Sequence, residues 1–166
     1  MEFAHFFENI TSYLAVFFTA MTPIGEIRAA IPLGLGLYKL NLYFVFIISV
    51  IGNLIPAVII VYALDPLSKF LMRKFKWANR FFTWLFDRTR RKHAKKFEKY
   101  TGFALTLFVG IPLPVTGAWT GALIAFVFGI PPKKAILDIL LGIIMAGIIV
   151  TIVFKTIGYV KFITVG

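Results

Sequence analysis

The chain contains no cysteine, only two histidines and only seven acidic residues among its 166 residues. Without cysteine it can form no disulfide, no thiol nucleophile and no cysteine-ligated metal site. Neither His5 nor His93 lies in an apolar run, and there is no His-Glu-x-x-His motif and no evident pair of acids. Enzymatic chemistry needs a nucleophile with a base, or a metal cluster, so we expect no enzyme, no metal site and no cofactor.

Hydrophobic residues are what the chain has in excess, at 60% of the sequence. This is more apolar surface than a soluble domain of this length can bury, which predicts an integral membrane protein. Only helices and closed barrels satisfy their backbone in lipid, and the long uncharged runs favour helices over alternating strands. The sequence therefore predicts a single all-α integral membrane domain.

Two uncharged runs are long enough to cross a bilayer, residues 42–64 and 135–154. In the first, Gly52 and Pro56 are expected to serve packing and kinking, and Asn53 either does the same or faces a polar centre. In the second, Gly142 and Gly147 are available for packing. Asp138 is expected in the first turn of its helix, where an acid complements the helix dipole.

The other apolar runs are short and interrupted. Residues 10–21 would form a helix of only about 18 Å, against a hydrocarbon layer of about 30 Å. A second short helix to about residue 36 is then expected to start afresh, with Thr22 as N-cap and Pro23 as its first residue. Residues 102–109 and 117–128 repeat this plan, as two short helices around a turn rich in proline and glycine. Whether these two broken segments span or re-enter the membrane stays open.

The basic residues are unevenly placed, since twelve of the 18 lysines and arginines lie between residues 69 and 99. By the positive-inside rule this linker is cytoplasmic. From residue 67 apolar and basic residues alternate at helical spacing, which predicts an amphipathic helix in the headgroup layer that binds anionic lipid. Basic residues among aromatic ones also occur in nucleic-acid binding, but a position between membrane segments argues against a nucleic-acid partner. Residues 131–134 are expected to form a second basic turn.

Glu26 and Arg28 lie inside an apolar run. Each charge near the bilayer centre costs roughly 2.5 to 3.5 kcal/mol, so both need compensation. Helical residues two apart point to nearly opposite faces, so we expect each to find its partner elsewhere. Intramembrane ionisable groups are functional candidates by default. The alternative is that both lie in an ordinary loop at the level of the headgroups.

An internal repeat follows from these runs: a broken segment, a whole helix, the basic linker, a second broken segment and a second whole helix. With the linker in the cytoplasm the two halves are inverted, a plan that recurs in secondary transporters. The expected boundaries are residues 1–40 for the first helix and re-entrant hairpin, 41–64 for a transmembrane helix, 65–100 for the linker, 101–132 for the second re-entrant hairpin and 133–158 for the second transmembrane helix. The sequence leaves formation of a homodimer open.

Two stretches, TPIGEIRAAIPLG at residues 22–34 and IPLPVTGAWTGA at residues 111–122, resemble the small multi-drug export protein family, a branch of the DedA (SNARE-associated, VTT) superfamily. The resemblance covers nearly the whole chain. It implies a prokaryotic inner-membrane protein with two opposed re-entrant hairpins, which returns polyprenyl phosphate or phospholipid across the membrane with the proton-motive force. Val115 replaces an expected glycine, and no arginine precedes Ile111, which leaves Arg28 as the main anion-binding candidate.

The leading hypothesis is therefore a lipid-phosphate translocase, in which Arg28 and backbone N–H groups at a half-helix N-terminus hold the phosphate. Glu26 would couple transport to protons. Further substrate-binding candidates are Thr116, Trp119, Thr120 and Asn53, and the expected hairpin-turn residues are Pro23, Gly25, Pro32, Gly110, Pro112, Pro114, Gly117 and Gly121.

Two other hypotheses remain. A proton-driven exporter of lipophilic cations would use Glu26 as counter-ion and would need Arg28 turned away from the substrate. A membrane scaffold would fit the basic linker but would leave Glu26 and Arg28 unexplained.

Overall fold

The computed structural model describes residues 9–90, 98–113 and 116–165, with the side chains of residues 9–88, 102–113 and 116–158. The described part is helical and contains no strand, which confirms the all-α class. The basic residues of 91–97, together with His5, His93, Pro114 and Val115, lie outside it. The helices are α1 (Ile10–Met21), α2 (Glu26–Pro32), α3 (Leu42–Lys74), α4 (Lys76–Arg90), α5 (Glu98–Gly110), α6 (Ala118–Phe128) and α7 (Pro132–Val165), with a π-helical turn at Leu33–Leu37 after α2.

Two helices, α3 and α7, are long and apolar enough to cross a membrane. Over its most apolar window α3 has a mean hydropathy of 2.7, and the stretch Pro132–Gly158 of α7 reaches 2.8. At 33 residues α3 is about 50 Å long, well beyond a hydrocarbon layer of about 30 Å. Helices α1 and α6 are apolar but too short to span alone. Two whole helices were expected, and the described part of the chain contains two.

Both long helices extend beyond the uncharged runs that predicted them. Helix α3 continues past residue 64 through Pro66 to Lys74, so the first part of the expected linker belongs to this helix. Asp65 and Lys69, one turn apart on either side of Pro66, form an ion pair. Helix α7 begins at Pro132, because proline suits a first helical position, so the expected basic turn lies largely inside the helix. Asp138 is consequently not in the first turn, and its assignment to the helix dipole was wrong.

In the first interrupted segment, α1 and α2 are separated by residues 22–25. The Thr22 hydroxyl donates to the Thr19 carbonyl (2.8 Å) and accepts the Gly25 N–H (3.0 Å), as an N-cap side chain would. Regular helix nevertheless begins at Glu26 and not at Pro23. Pro32 lies inside the last turn of α2 and not in a hairpin turn. Because Pro32 has no N–H, it weakens α-helical bonding there, and the chain continues as a π-helical turn.

In the second interrupted segment, α5 ends at Gly110 and α6 starts after Gly117, with Pro112 between them. The Thr116 hydroxyl organises this turn, lying 2.8 Å from the Ile111 carbonyl and 2.9 Å from the Leu113 carbonyl. Gly121 was expected in the turn but lies inside α6, where a Cβ would come within 2.5 Å of Val109 on α5. It is therefore a packing glycine.

The two halves of the chain pack into one another. Helix α1 packs on α3 and α5 on α7, while α2 packs on α7 and α6 packs on α3. Small residues permit these close approaches: Gly52 lies against the Phe17 carbonyl, Gly142 against Val109, and Gly147 against Ile27. The expected packing roles of these three glycines are confirmed. Each interrupted segment is thus brought against the long helix of the opposite half.

Helix α4 lies beside the end of α6. Phe82 and Phe86 form edge-on ring contacts with Phe126, at centroid distances of 6.4 and 5.5 Å. Trp77 and Trp84 stay more than half exposed on another face, and Arg88 lies over the Trp84 ring. Helix α4 therefore has one aromatic face that packs against the helical core and a second that is uncovered.

Candidate functional site

Glu26 opens helix α2 in an unusual backbone conformation. Its φ is +46°, in the left-handed region that non-glycine residues rarely occupy. Local strain of this kind costs of order 1–3 kcal/mol and persists only where surrounding structure imposes it. The residue is buried, at 5% exposed, although it is the only acid in this segment. A left-handed residue at the start of α2 therefore carries a buried carboxylate.

The carboxylate of Glu26 is paired with Arg28. Glu26 Oε2 lies 3.1 Å from Arg28 Nη2, and the Arg28 side chain is 22% exposed. The expectation that these two side chains could not reach each other was wrong. It assumed that both residues are helical, whereas the left-handed φ of Glu26 turns its side chain toward that of Arg28.

Arg28 also joins the two interrupted segments. Its Nη1 donates to the carbonyl of Leu113, in the turn before α6. Thr116 contacts the same carbonyl and so fixes its position. One guanidinium therefore connects the acid of the first segment to the turn of the second.

The N-terminus of α6 is the second surface that Glu26 contacts. The backbone N–H groups of Ala118 and Trp119 face its carboxylate, where the helix dipole favours negative charge. Gly117 precedes them with its Cα against the carboxylate, and any Cβ there would overlap both Glu26 oxygens. The φ of Gly117 is 168°, an extended value open to any residue, so space and not conformation requires glycine here.

Trp119 and Thr116 have structural partners. The indole N–H of Trp119 donates to the carbonyl of Met21 (3.2 Å), the last residue of α1. Thr116 is engaged by its own turn, as described above. Thr120 is half-buried in the first turn of α6. Trp119 thus ties the start of α6 to the end of α1, next to the Glu26 site.

Asn53 lies on the buried face of α3, at 2% exposed. Its side-chain oxygen has no hydrogen-bond partner among the described residues, and the same is true of the Ser49 hydroxyl one turn earlier. Ser49 was not predicted as a site residue. The available signal was a serine and an asparagine four residues apart in an uncharged membrane run.

The structure therefore brings Glu26, Arg28 and Trp119 together, around Gly117 and the Leu113 carbonyl. Main-chain partners of this kind carry no signature in the sequence, which is why the prediction missed the Leu113 and Met21 carbonyls. Within the described residues no group of three histidine, aspartate or glutamate side chains could hold a metal ion. The arrangement is a set of hydrogen-bond donors that converges on one buried carboxylate.

A helical membrane protein whose two interrupted segments meet at a buried ion pair is the class that this fold and site define. A family model with the description "Putative small multi-drug export protein" matches residues 26–149, from Glu26 to within α7. The chain belongs to this family, whose description is that of a transport protein and not of an enzyme. No curated protein and no solved structure matches the chain.

Proposed function

We propose that the chain is a DedA-like translocase for lipids with a phosphate headgroup, such as polyprenyl phosphate or anionic phospholipid, in the prokaryotic cytoplasmic membrane. The observation that carries this proposal is the set of donors around Glu26. Arg28 and the N–H groups of Ala118 and Trp119 converge on one point, which an anion already occupies. A guanidinium and a helix N-terminus both bind phosphate well in proteins.

Glu26 acts in this mechanism as a built-in competitor of the phosphate. When ionised, its carboxylate accepts the hydrogen bonds of Arg28 and of the N-terminus of α6. When protonated, it loses most of its attraction for Arg28 and for the N-terminus of α6, and a phosphate oxygen takes its place. Loss of the proton then expels the phosphate. Exchange of one anion for the other links lipid transport to a pH gradient, with Glu26 as the proton-coupling group.

The two interrupted segments supply the moving parts. We infer that they are re-entrant hairpins in two inverted halves, and the reciprocal packing of α2 on α7 and of α6 on α3 supports this. The basic linker that contains α4 lies on the cytoplasmic side under the positive-inside rule. Trp77, Trp84 and the neighbouring basic residues then contact anionic lipid headgroups.

The test is reconstitution into liposomes that contain a labelled polyprenyl phosphate or a labelled anionic phospholipid. Leaflet exchange is followed with and without a pH gradient. Arg28→Ala should lower exchange at least tenfold, and Glu26→Gln should remove its dependence on the gradient. Lys155→Ala is the matched control, because it removes an exposed charge on α7, outside the basic linker. Full exchange by folded Arg28→Ala protein would contradict the proposal.

A proton-driven exporter of lipophilic cations is the second candidate. The family description favours it, and so does the engagement of Arg28 by Glu26 and the Leu113 carbonyl, which keeps the guanidinium off the substrate. Glu26 would then be the counter-ion of the cation. Competition between quaternary ammonium dyes and protons at Glu26, absent from Glu26→Gln, would favour this candidate. Failure of both assays with folded protein would favour the scaffold role.

A further inference from the structure

The buried face of α3 carries oxygen atoms that lack a hydrogen-bond donor. Ser49 is 0% and Asn53 is 2% exposed, and neither the Ser49 hydroxyl nor the Asn53 side-chain oxygen has a partner in the described part of the chain. A third acceptor lies between them. Pro56 has no N–H, so the carbonyl of Gly52, four residues earlier, lacks its usual helical donor.

These groups follow one stripe of the helix. Residues 49, 52, 53 and 56 have the spacing i, i+3, i+4, i+7, and all four are buried. Side chains at this spacing have Cβ atoms about 5–6 Å apart. Buried polar atoms in native proteins almost always have a partner, and an unpaired group at membrane depth is especially costly. Ordered water is the usual partner of buried polar groups that the protein itself leaves unpaired.

The stripe packs against the end of α1 that also contacts the Glu26 site. Gly52 packs against the Phe17 carbonyl and against Ala20, in the last turns of α1. The next residue, Met21, accepts the indole N–H of Trp119, whose backbone N–H faces Glu26. The stripe and the carboxylate are therefore at the same end of α1. Arg28 is the charged residue that faces Glu26 within the described part.

We propose that Ser49, the Gly52 carbonyl and Asn53 form a buried water site through which protons reach Glu26. All three are neutral acceptors, which suits a ligand that donates hydrogen bonds. Bound water joins them and carries protons along the stripe, while Arg28 and the N-terminus of α6 hold the carboxylate that receives them. The role of Glu26 rests on the proposed function, but the presence of water does not.

The absence of native cysteine allows a direct test by thiol accessibility. Single variants Ser49→Cys and Asn53→Cys are treated in liposomes with a small water-soluble methanethiosulfonate, which reacts with the hydrated thiolate. Val45→Cys is the matched control, because Val45 is on the same helix and 0% exposed, lies one turn before Ser49, and packs its own side chain against Gly34. Labelling at positions 49 and 53 should be at least tenfold faster than at position 45.

Labelling of Ser49→Cys that is no faster than that of Val45→Cys would overturn the proposal. Protection of this thiol by Na⁺ and not by K⁺ would also overturn it, because the ligand would then be a cation and not water. The measurement uses no lipid substrate, so its outcome is independent of whether the lipid-phosphate assay succeeds.

A functional measurement completes the test. Ser49→Ala should lower proton flux into liposomes at least fivefold. Ser68→Ala should leave it unchanged, because Ser68 is equally buried on α3 but its hydroxyl is bonded to the Asp65 carbonyl. Equal flux in the two folded variants would contradict a proton path through the stripe.

Discussion

The Glu26 carboxylate rests on the Cα of Gly117, at the point where helix α6 begins. The two residues belong to different halves of the chain, and no side chain other than a hydrogen atom fits between them. The contact puts a buried negative charge at a helix N-terminus, where it is favoured. It also makes the acid of the first interrupted segment a part of the second.

Gly117→Ala should separate these segments. The added methyl group overlaps both carboxylate oxygens, so either α6 or Glu26 must move. Overpacking of this kind costs about 1–3 kcal/mol, and the loss should appear as a lower free energy of unfolding in mixed micelles and as loss of transport. Gly158→Ala is the control, since nothing lies within 4 Å of its added methyl group. Equal stability of the two variants would contradict the observed contact.

Glu26 and Arg28 should show a favourable coupling energy. A double-mutant cycle with Glu26→Gln and Arg28→Gln is expected to give about 1–2 kcal/mol, since the pair is largely buried but the guanidinium is partly exposed. The single variants should each destabilise the protein by more than this coupling, because each leaves the other charge without its partner. Chemical unfolding of the four proteins measures the cycle. Additive effects would mean that the two groups do not interact.

Thr116→Val should weaken the attachment of Arg28 indirectly. The valine keeps the shape of threonine but removes the hydroxyl that holds the turn at Ile111 and Leu113. We expect a loss of about 1 kcal/mol and a partial loss of transport, because the Leu113 carbonyl is then less well placed for Arg28. Thr156→Val is a suitable control, since its hydroxyl bonds to the Ile152 carbonyl within α7 and not to the turn before α6. If Thr116→Val loses the expected stability but transports normally, the turn is needed for stability and not for transport.

Trp119→Phe should loosen the junction between α6 and α1. Phenylalanine retains an aromatic ring but cannot donate to the Met21 carbonyl. The expected loss of stability is about 0.5–1.5 kcal/mol, measured as a lower midpoint of unfolding. Trp84→Phe, on an exposed ring of α4, should have little effect. If the two variants behave alike, the indole hydrogen bond contributes nothing measurable.

Asn53→Leu should stabilise the protein, or leave its stability unchanged, while it impairs proton coupling. Leucine has the same branching at Cγ and removes an oxygen that has no partner in the described structure. Replacing such a group by an apolar one is commonly neutral or stabilising. Thermal unfolding and proton flux measured on the same preparation test both statements. A large loss of stability would contradict the prediction.

The fold class could be predicted from the sequence, because whether an apolar run forms a helix in lipid depends on that run alone. A helix in lipid satisfies its own backbone, so the length and charge of a run suffice to predict it. The ends of α3 and α7 were predicted less well. Charge marks where a helix leaves the membrane, and α3 continues beyond that point through Pro66 to Lys74. A helix continues for as long as its backbone hydrogen bonds can form, and a change from apolar to charged residues does not prevent them.

The site was predicted in part. Glu26 and Arg28 stood out because their charges are costly in an apolar run, and that cost is a property of the residues themselves. Their mutual pairing was missed because it depends on the left-handed φ of Glu26. The roles of the Leu113 and Met21 carbonyls were missed because a main-chain group has the same chemistry at every position. Gly117 was expected only as a turn residue, and its contact with Glu26 depends on how the two segments meet.

By itself, then, the sequence determined that this protein is a bundle of helices for a membrane, with an acid and a base in an interrupted segment. Hydropathy, charge and the positions of proline can be read from each segment separately, and they suffice to predict the helices and to pick out the two charged residues. Only the tertiary structure decided that Glu26 is held jointly by Arg28 and the N-terminus of α6. That arrangement requires two segments distant in the chain to meet, and their meeting depends on packing among all the long helices.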